Sequence, residues 1–181
     1  MSPLCLLNNE NMCAKSSTVE TLKSDTTVRV AYGYDWGTMS DNSALIFWHV
    51  EGIFRELRKE FGIEFEMFSL GGRDGSIYCN ICSQLQSADI AVFDLSTHNV
   101  NVAFELGIAV GAGTHVFVLR SNHYKRQKRS FSDLNGILEY RFTRGSGKLK
   151  FEANFTRSLT EKLIKAAVDK IATFQGTDGQ L

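Results

Sequence analysis

Three features of the chain together predict a single α/β domain built as a doubly wound, mainly parallel five-stranded sheet with helices on both faces. Short apolar runs alternate with longer segments whose apolar residues recur at helical spacing. The run Ile90-Ala-Val-Phe93 is apolar without interruption, the pattern of a strand buried on both sides in a parallel sheet. Alternating strands and helices need right-handed crossovers, which return each strand parallel to the one before.

The elements follow in order. Residues 1–26 are rich in Asn, Ser, Thr and Lys without a sustained period, and read as a flexible lead-in to a domain over residues 27–174. Val28-Arg-Val-Ala-Tyr-Gly33 reads as the first strand, and Asp35 to Ser40 as the loop after it. Asp41 suits a helix cap, and Phe47, Val50, Phe54, Leu57 and Phe61 form one apolar stripe behind it. Gly62 suits a helix stop. Ile63 to Phe68 reads as the second strand, followed by a turn-rich loop at Gly71-Gly-Arg-Asp-Gly75. Ile77, Ile81 and Leu85 mark the next helix face, and Ile90 to Phe93, ending at Asp94, the central strand. Ser96 to Val100 is a loop with Asn101 as the expected cap of a third helix, whose face carries Val102, Leu106, Ala109 and Val110. His115-Val-Phe-Val-Leu119 is the fourth strand, and Leu138-Glu-Tyr-Arg-Phe142 the short fifth. Phe155, Leu159, Leu163 and Ala167 give the closing helix, with residues 175–181 as a flexible tail.

Composition narrows the partners. The 181 residues hold 20 Lys plus Arg against 20 Asp plus Glu, so no global field draws in nucleic acid or an acidic membrane surface. No apolar run approaches the ~20 residues of a membrane helix, and the N-terminus lacks the pattern of a secretory signal. The four cysteines are Cys5, Cys13, Cys79 and Cys82. The last two form a Cys-x-x-Cys inside a helical pattern with no second pair to complete a zinc site, so they read as thiols kept reduced in a cytoplasm. No metal is expected. There is no Gly-x-Ser-x-Gly elbow, no Walker loop and no Gly-x-Gly-x-x-Gly after the first strand, which argues against serine hydrolase, P-loop and dinucleotide dehydrogenase chemistry.

In sheets of this kind ligands bind beyond the carboxyl ends of the strands, at the switch point in strand order. One segment there is rich in functional groups: Asp94-Leu-Ser-Thr-His-Asn-Val-Asn-Val-Ala-Phe-Glu105. Asp94 ends the central strand. Glu105 falls about one turn into the following helix, on the side of Val102 and Ala109 that faces the sheet. A glutamate in a first turn also gains ~0.3–1 kcal/mol from the helix macrodipole, a purely structural use. Its inward phase, the second carboxylate and the asparagines between them suit a different task. Breaking a ribose–base bond passes through an oxocarbenium-like state, which a carboxylate can stabilise or attack. Asp94 and Glu105 are the candidate catalytic residues, with Ser96, Asn99 and Asn101 as candidates for holding ribose hydroxyls.

Ala88 to Ala109, with Asn-Val-Asn-Val-Ala-Phe-Glu-Leu-Gly at its centre, resembles the core signature of the nucleoside 2-deoxyribosyltransferase-like proteins and the TIR-like proteins grouped near them. The resemblance implies a flavodoxin-like fold and cleavage of the glycosidic bond of nucleosides, nucleotides or NAD by a glutamate on this helix, here Glu105. It places the strand-end aspartate at Asp94, the asparagine before the helix at Asn99 or Asn101, and the first-strand loop at Tyr32 and Gly33. That loop departs from the transferase pattern: Tyr34-Asp-Trp-Gly37 stands where those proteins carry a small Gly-Pro turn.

Tyr34 and Trp36 are candidates for stacking on a base. Arg73 and Asp74 precede a helix N-terminus, a natural anion site. Lys125 to Arg129 is a basic run, more often solvated than specific, and His98 is a loop histidine placed to assist a leaving base. The expected activity is an N-glycosidase or glycosyltransferase with NAD or a nucleoside monophosphate as substrate and no required cofactor. The alternative is a TIR-like binding or signalling module without turnover. Both carry an expectation of homo-oligomerisation.

Overall fold

The computed structural model describes residues 26–38, 41–71, 77–122 and 139–177. They form strands β1 (Val28–Gly33), β2 (Phe65–Ser69), β3 (Ile90–Asp94), β4 (His115–Ser121), β5 (Glu139–Gly145) and β6 (Lys148–Phe151). Helices α1 (Asp41–Phe61), α2 (Ile77–Ser87), α3 (Val100–Gly111) and α4 (Ala153–Thr177) alternate with them, and a short 3-10 turn covers Trp36–Thr38. Closing helix α4 runs three residues past the expected boundary at 174.

The sheet order is β2-β1-β3-β4-β5-β6. The first five strands pair in parallel, with Val30 opposite both Met67 and Ile90 and with Val92 opposite Phe117. The order reverses at β1, which sits between β2 and β3, so the crevice expected at a switch point lies over the carboxyl ends of β1 and β3.

The sheet has six strands among the described residues, not five. The sixth is an antiparallel edge strand reached through the hairpin at Ser146 and Gly147. Both residues have positive φ, 47° and 75°, the requirement of a type I′ hairpin turn, which Gly147 meets without steric cost. The Gly145-Ser-Gly147 signal is legible in the sequence but flanks a strand of four residues, too short for alternation to register. The fifth strand covers Glu139–Gly145, three residues past the expected end at Phe142, while its expected first residue, Leu138, lies outside the described residues.

Side-chain alternation splits the core into two layers. On one face Val28, Val30 and Tyr32 of β1 and Ile90 and Val92 of β3 meet Ile46, Val50, Phe54 and Leu57 of α1 and Phe155, Leu159, Leu163 and Ala167 of α4. On the other, Ala31, Ala91, Phe93 and Val118 meet Ile81 and Leu85 of α2 and Val102, Leu106 and Ala109 of α3. Three of the expected apolar stripes shift slightly. Phe47 and Phe61 are only partly buried while Ile46 is fully so, and Ile77 and Val110 stand about half exposed. Those last two lie at helix ends, where the wheel phase carries them past the edge of the sheet. The backbone N–H of Gly62 closes α1 on the carbonyl of Arg58 at 3.0 Å. No helix among the described residues is long and apolar enough to cross a membrane.

Candidate functional site

Gly33 ends β1, and the local geometry leaves room only for hydrogen there. A Cβ at this position would stand 2.6 Å from Cε1 of Phe93 and 3.1 Å from Oε2 of Glu105. The end of β1, the Phe93 ring and the Glu105 carboxyl therefore converge on one point. Glu105 reaches it because only five residues separate the end of β3 from the start of α3, and Val102, Leu106 and Ala109 fix the helix phase against the sheet.

Helix α3 is capped by Asn99, not by Asn101. The Asn99 side-chain oxygen accepts from the backbone N–H of Asn101 at 2.8 Å and of Val102 at 3.4 Å. In Asn-Val-Asn either asparagine meets the cap preference, and the extended backbone at Asn99 decides it. The cap at Asn99 leaves the Asn101 side chain outside the capping bonds. Asn101 lies four residues before Glu105, and both line one cleft.

This cleft, about 720 Å³, opens between α2 and α3 at the carboxyl ends of β1 and β2. Its polar groups are Glu105, Asn101 and Ser69 at the end of β2. Its apolar wall comes from Leu70 and Ile81. Three aromatic rings form its rim: Trp36, Tyr78 and Phe104, each about half exposed. Tyr78 and Phe104 meet edge to face across the mouth, with centroids 5.7 Å apart at 80°. Gly71 closes one side, pinned at both its N–H and its carbonyl by the Gln84 amide, at 3.0 and 2.8 Å. Burial among these groups raises the Glu105 carboxyl from 4.5 to about 7.

Trp36 is held by a stack of rings. Tyr32 packs face to face on Tyr34 at 4.9 Å, and Tyr34 on Trp36 at 5.1 Å. The stack runs from the core, where Tyr32 is fully buried, to the cleft rim. Asp35 secures the turn by accepting from the N–H of Gly37 at 3.0 Å.

Asp94 is placed elsewhere. It follows Ile90 and Val92 in alternation, so it turns toward the face covered by α1 and α4, whereas Glu105 sits with Phe93 on the opposite face. Asp94 Oδ1 accepts from the N–H of Ser96 at 2.9 Å and from its hydroxyl at 2.5 Å, and the Ser96 oxygen in turn accepts from the N–H of Ser121 at 2.8 Å. Burial raises the Asp94 carboxyl, the two Ser96 hydrogen bonds lower it, and the charge of Asp35 raises it again. Asp94 in turn helps burial hold the Tyr32 phenol well above its usual value. Ser96 thus ties the end of β3 to β4. His98 stands in the same turn with φ 55°, its N–H donating to the Leu95 carbonyl at 3.1 Å. Burial lowers its pKa, and the neighbouring Arg120 lowers it further.

Of the residues expected at the site, the structure brings together Gly33, Trp36, Asn101 and Glu105. Tyr32 and Tyr34 support Trp36 from behind, Asn99 caps the helix, and Asp94 and Ser96 form a separate buried network. Arg73, Asp74 and the basic run at Lys125–Arg129 lie outside the described residues. Ser69, Tyr78 and Phe104 are additions. Ser69 carried no signal in its strand. Tyr78 and Phe104 sit beside Ile77 and Glu105 in the sequence, and an aromatic residue off the apolar stripe of its helix is the available clue. Among the described residues no group of three His, Cys, Asp or Glu side chains is arranged to hold a metal ion. Cys79 and Cys82 are not joined in a disulfide, and the Cys82 sulfur accepts from the Gln86 amide at 3.2 Å. Comparison with protein-family models, with curated proteins and with solved structures finds no match.

Proposed function

We propose that the cleft between α2 and α3 is the active site of an N-glycosidase or glycosyl-transferring enzyme acting on a nucleotide or nucleoside, with Glu105 as its catalytic carboxylate. In this reading the chain is a nucleoside 2-deoxyribosyltransferase-like or TIR-like protein on a flavodoxin-like, doubly wound framework, with NAD and nucleoside monophosphates the first substrates to test. One observation carries it: a half-buried carboxyl, raised to about 7, stands at the carboxyl end of the switch-point strand inside a cleft of ligand size with an aromatic rim.

The chemistry follows from position. The base lies against Trp36, Tyr78 and Phe104, and the Asn101 amide and Ser69 hydroxyl take ribose hydroxyls. The ionised Glu105 stabilises the positive charge that develops at the anomeric carbon, or attacks it, as the bond to the base breaks. Water or a second nucleoside completes the exchange. Incubation with a panel of NAD, nucleosides and nucleoside monophosphates, read by chromatography, tests this. The wild type releases free base from at least one of them, and Glu105→Gln lowers that rate by about 10²–10⁴. No release from any member ends the enzymatic reading.

A second reading rests on a specific observation. Asp94 faces the opposite layer, held by Ser96, so the pair of carboxylates expected from the sequence does not meet in this cleft. A module that binds a nucleotide without turnover needs only one of them. It predicts protection of residues 33–38 and 99–105 from hydrogen exchange by the ligand, with no product.

A further inference from the structure

A second cavity, of about 570 Å³, lies at the opposite end of the sheet from Glu105, where the amino ends of β4 and β5 meet α4 and the end of α3. It arises from strand register. Strand β4 begins at His115, but β5 joins it only at Val118, opposite Glu139, and His115, Val116 and Phe117 all line the space. The buried rings of Phe117 and Tyr140, with centroids 5.7 Å apart, form an aromatic floor. Toward solvent stand the Ser158 hydroxyl and three exposed side chains: Glu161 and Lys162 of α4, and His115. Among the described residues that line the space, Lys162, Glu161, His115 and Tyr140 are the titratable ones.

These groups favour one kind of guest. Glu161 has Arg157 of its own helix at 4.0 Å, whereas Lys162 pairs with no carboxylate among the described residues. The last carbonyls of α3, which would repel an anion, are already used. Those of Ile108, Ala109 and Val110 accept from the N–H groups of Ala112, Thr114 and Gly113 at 2.9, 3.0 and 3.0 Å. His115 stands edge to face on Phe117, with centroids 5.1 Å apart at 73°. Burial lowers its pKa, and the charge of Lys162 lowers it further, so the ammonium is felt at the ring. An anion set between the two gives Lys162 a partner and relieves the repulsion on His115. One lysine balances one negative charge, and a second charge would face Glu161 unbalanced. The buried rings below reward an apolar body.

We infer that this cavity is a second binding site, for a small organic acid with one negative charge and a flat apolar body. The carboxylate lies between Lys162 and His115, with the Ser158 hydroxyl as a further donor, and the body lies on Phe117 and Tyr140. Helix α3 contributes to both this site and the Glu105 cleft, but the two share no lining residue among the described ones. The site therefore stands whether or not Glu105 breaks a bond.

The test uses benzoate and benzamide, an anion and a neutral amide of nearly equal shape, on the full chain. Imidazole signals are followed by NMR at neutral pH and constant ionic strength, and the His115 signal is identified by its loss in His115→Gln. Benzoate moves that signal along a saturating curve with a dissociation constant in the millimolar range, and benzamide binds about fivefold more weakly or worse. Bound benzoate also raises the pKa of His115, since a neighbouring anion favours the imidazolium. Lys162→Met weakens benzoate roughly threefold to fivefold, the scale of an exposed ion pair, and leaves benzamide unchanged. Lys162 is exposed, so this variant keeps the core intact. Glu161→Gln tightens benzoate by up to about twofold by removing a nearby like charge. Glu105→Gln leaves every one of these values unchanged. No saturating shift at His115, equal affinity for the two probes, or benzoate affinity unaltered by Lys162→Met overturns the inference. A His115 shift that disappears in Glu105→Gln also overturns it, because the probe then acts from the other cleft.

Discussion

Glu105 and Gly33 define each other. The carboxyl lies where a side chain on residue 33 would be, so Gly33→Ala drives a methyl group into the Phe93 ring and against Glu105. That variant loses base release and melts at lower temperature, because the ring it meets is fully buried and has nowhere to move. The raised pKa of Glu105 has two measurable consequences. In the proposed mechanism the ionised form acts, so kcat/KM climbs as pH rises through about 7 and levels off above it. Stability moves the other way. The folded state holds the proton more tightly than the unfolded chain, so the carboxyl costs nothing at pH 4, and its penalty grows as pH rises from about 4.5 to about 7. Allowing for the part of the group that stays wet, the penalty above pH 7 is about 1–2 kcal/mol. Glu105→Gln therefore melts above the wild type at pH 8 and level with it at pH 4 by thermal unfolding. Identical pH profiles for the two proteins contradict a buried, reluctant carboxyl.

The elements that hold this residue depend on a few local contacts. Helix α3 is short and carries few polar side chains for its own support, so its start relies on the Asn99 cap. Asn99→Ala removes the acceptor for two backbone N–H groups and costs about 1 kcal/mol, read from denaturant midpoints, with base release reduced because the first turn carries Asn101 and positions Glu105. Asn101→Ala removes no cap and leaves the midpoint nearly unchanged. The contrast between the two asparagines separates a cap from a ligand contact, which their sequence context alone does not. Strand β6 is a second such case. Its turn, with positive φ at Ser146 and Gly147, converts a stretch of exposed lysines into a covering strand and brings Phe151 onto Phe155 at 5.0 Å.

The molecule as a whole was legible where burial is strongest. Ile90 to Asp94 is buried at every position, and its unbroken apolar run announced a central parallel strand. The closing helix has Phe155, Leu159, Leu163 and Ala167 all fully buried, so its stripe was equally plain. Phe155→Ala empties a space ringed by Phe117, Tyr140 and Phe151 and is expected to cost about 3–5 kcal/mol in equilibrium unfolding. Legibility failed where an outcome depends on the face of the sheet. The sequence puts Asp94 and Glu105 eleven residues apart in one functional segment. Alternation along β3 turns Asp94 to one layer, and the crossover carries Glu105 to the other. The cleft was hidden for a related reason, since Ser69, Tyr78, Phe104 and Trp36 come from four separate elements and meet only through the strand order. The proposal that the carboxyl of Glu105 breaks a ribose–base bond is decided by a time course of free base at pH 8. Wild type, Glu105→Gln and Asp94→Asn are compared on the best substrate of the panel. Release is expected from the wild type, near background from Glu105→Gln, and at an intermediate rate from Asp94→Asn, whose effect reaches the cleft only through the fold. Equal rates for wild type and Glu105→Gln contradict the claim.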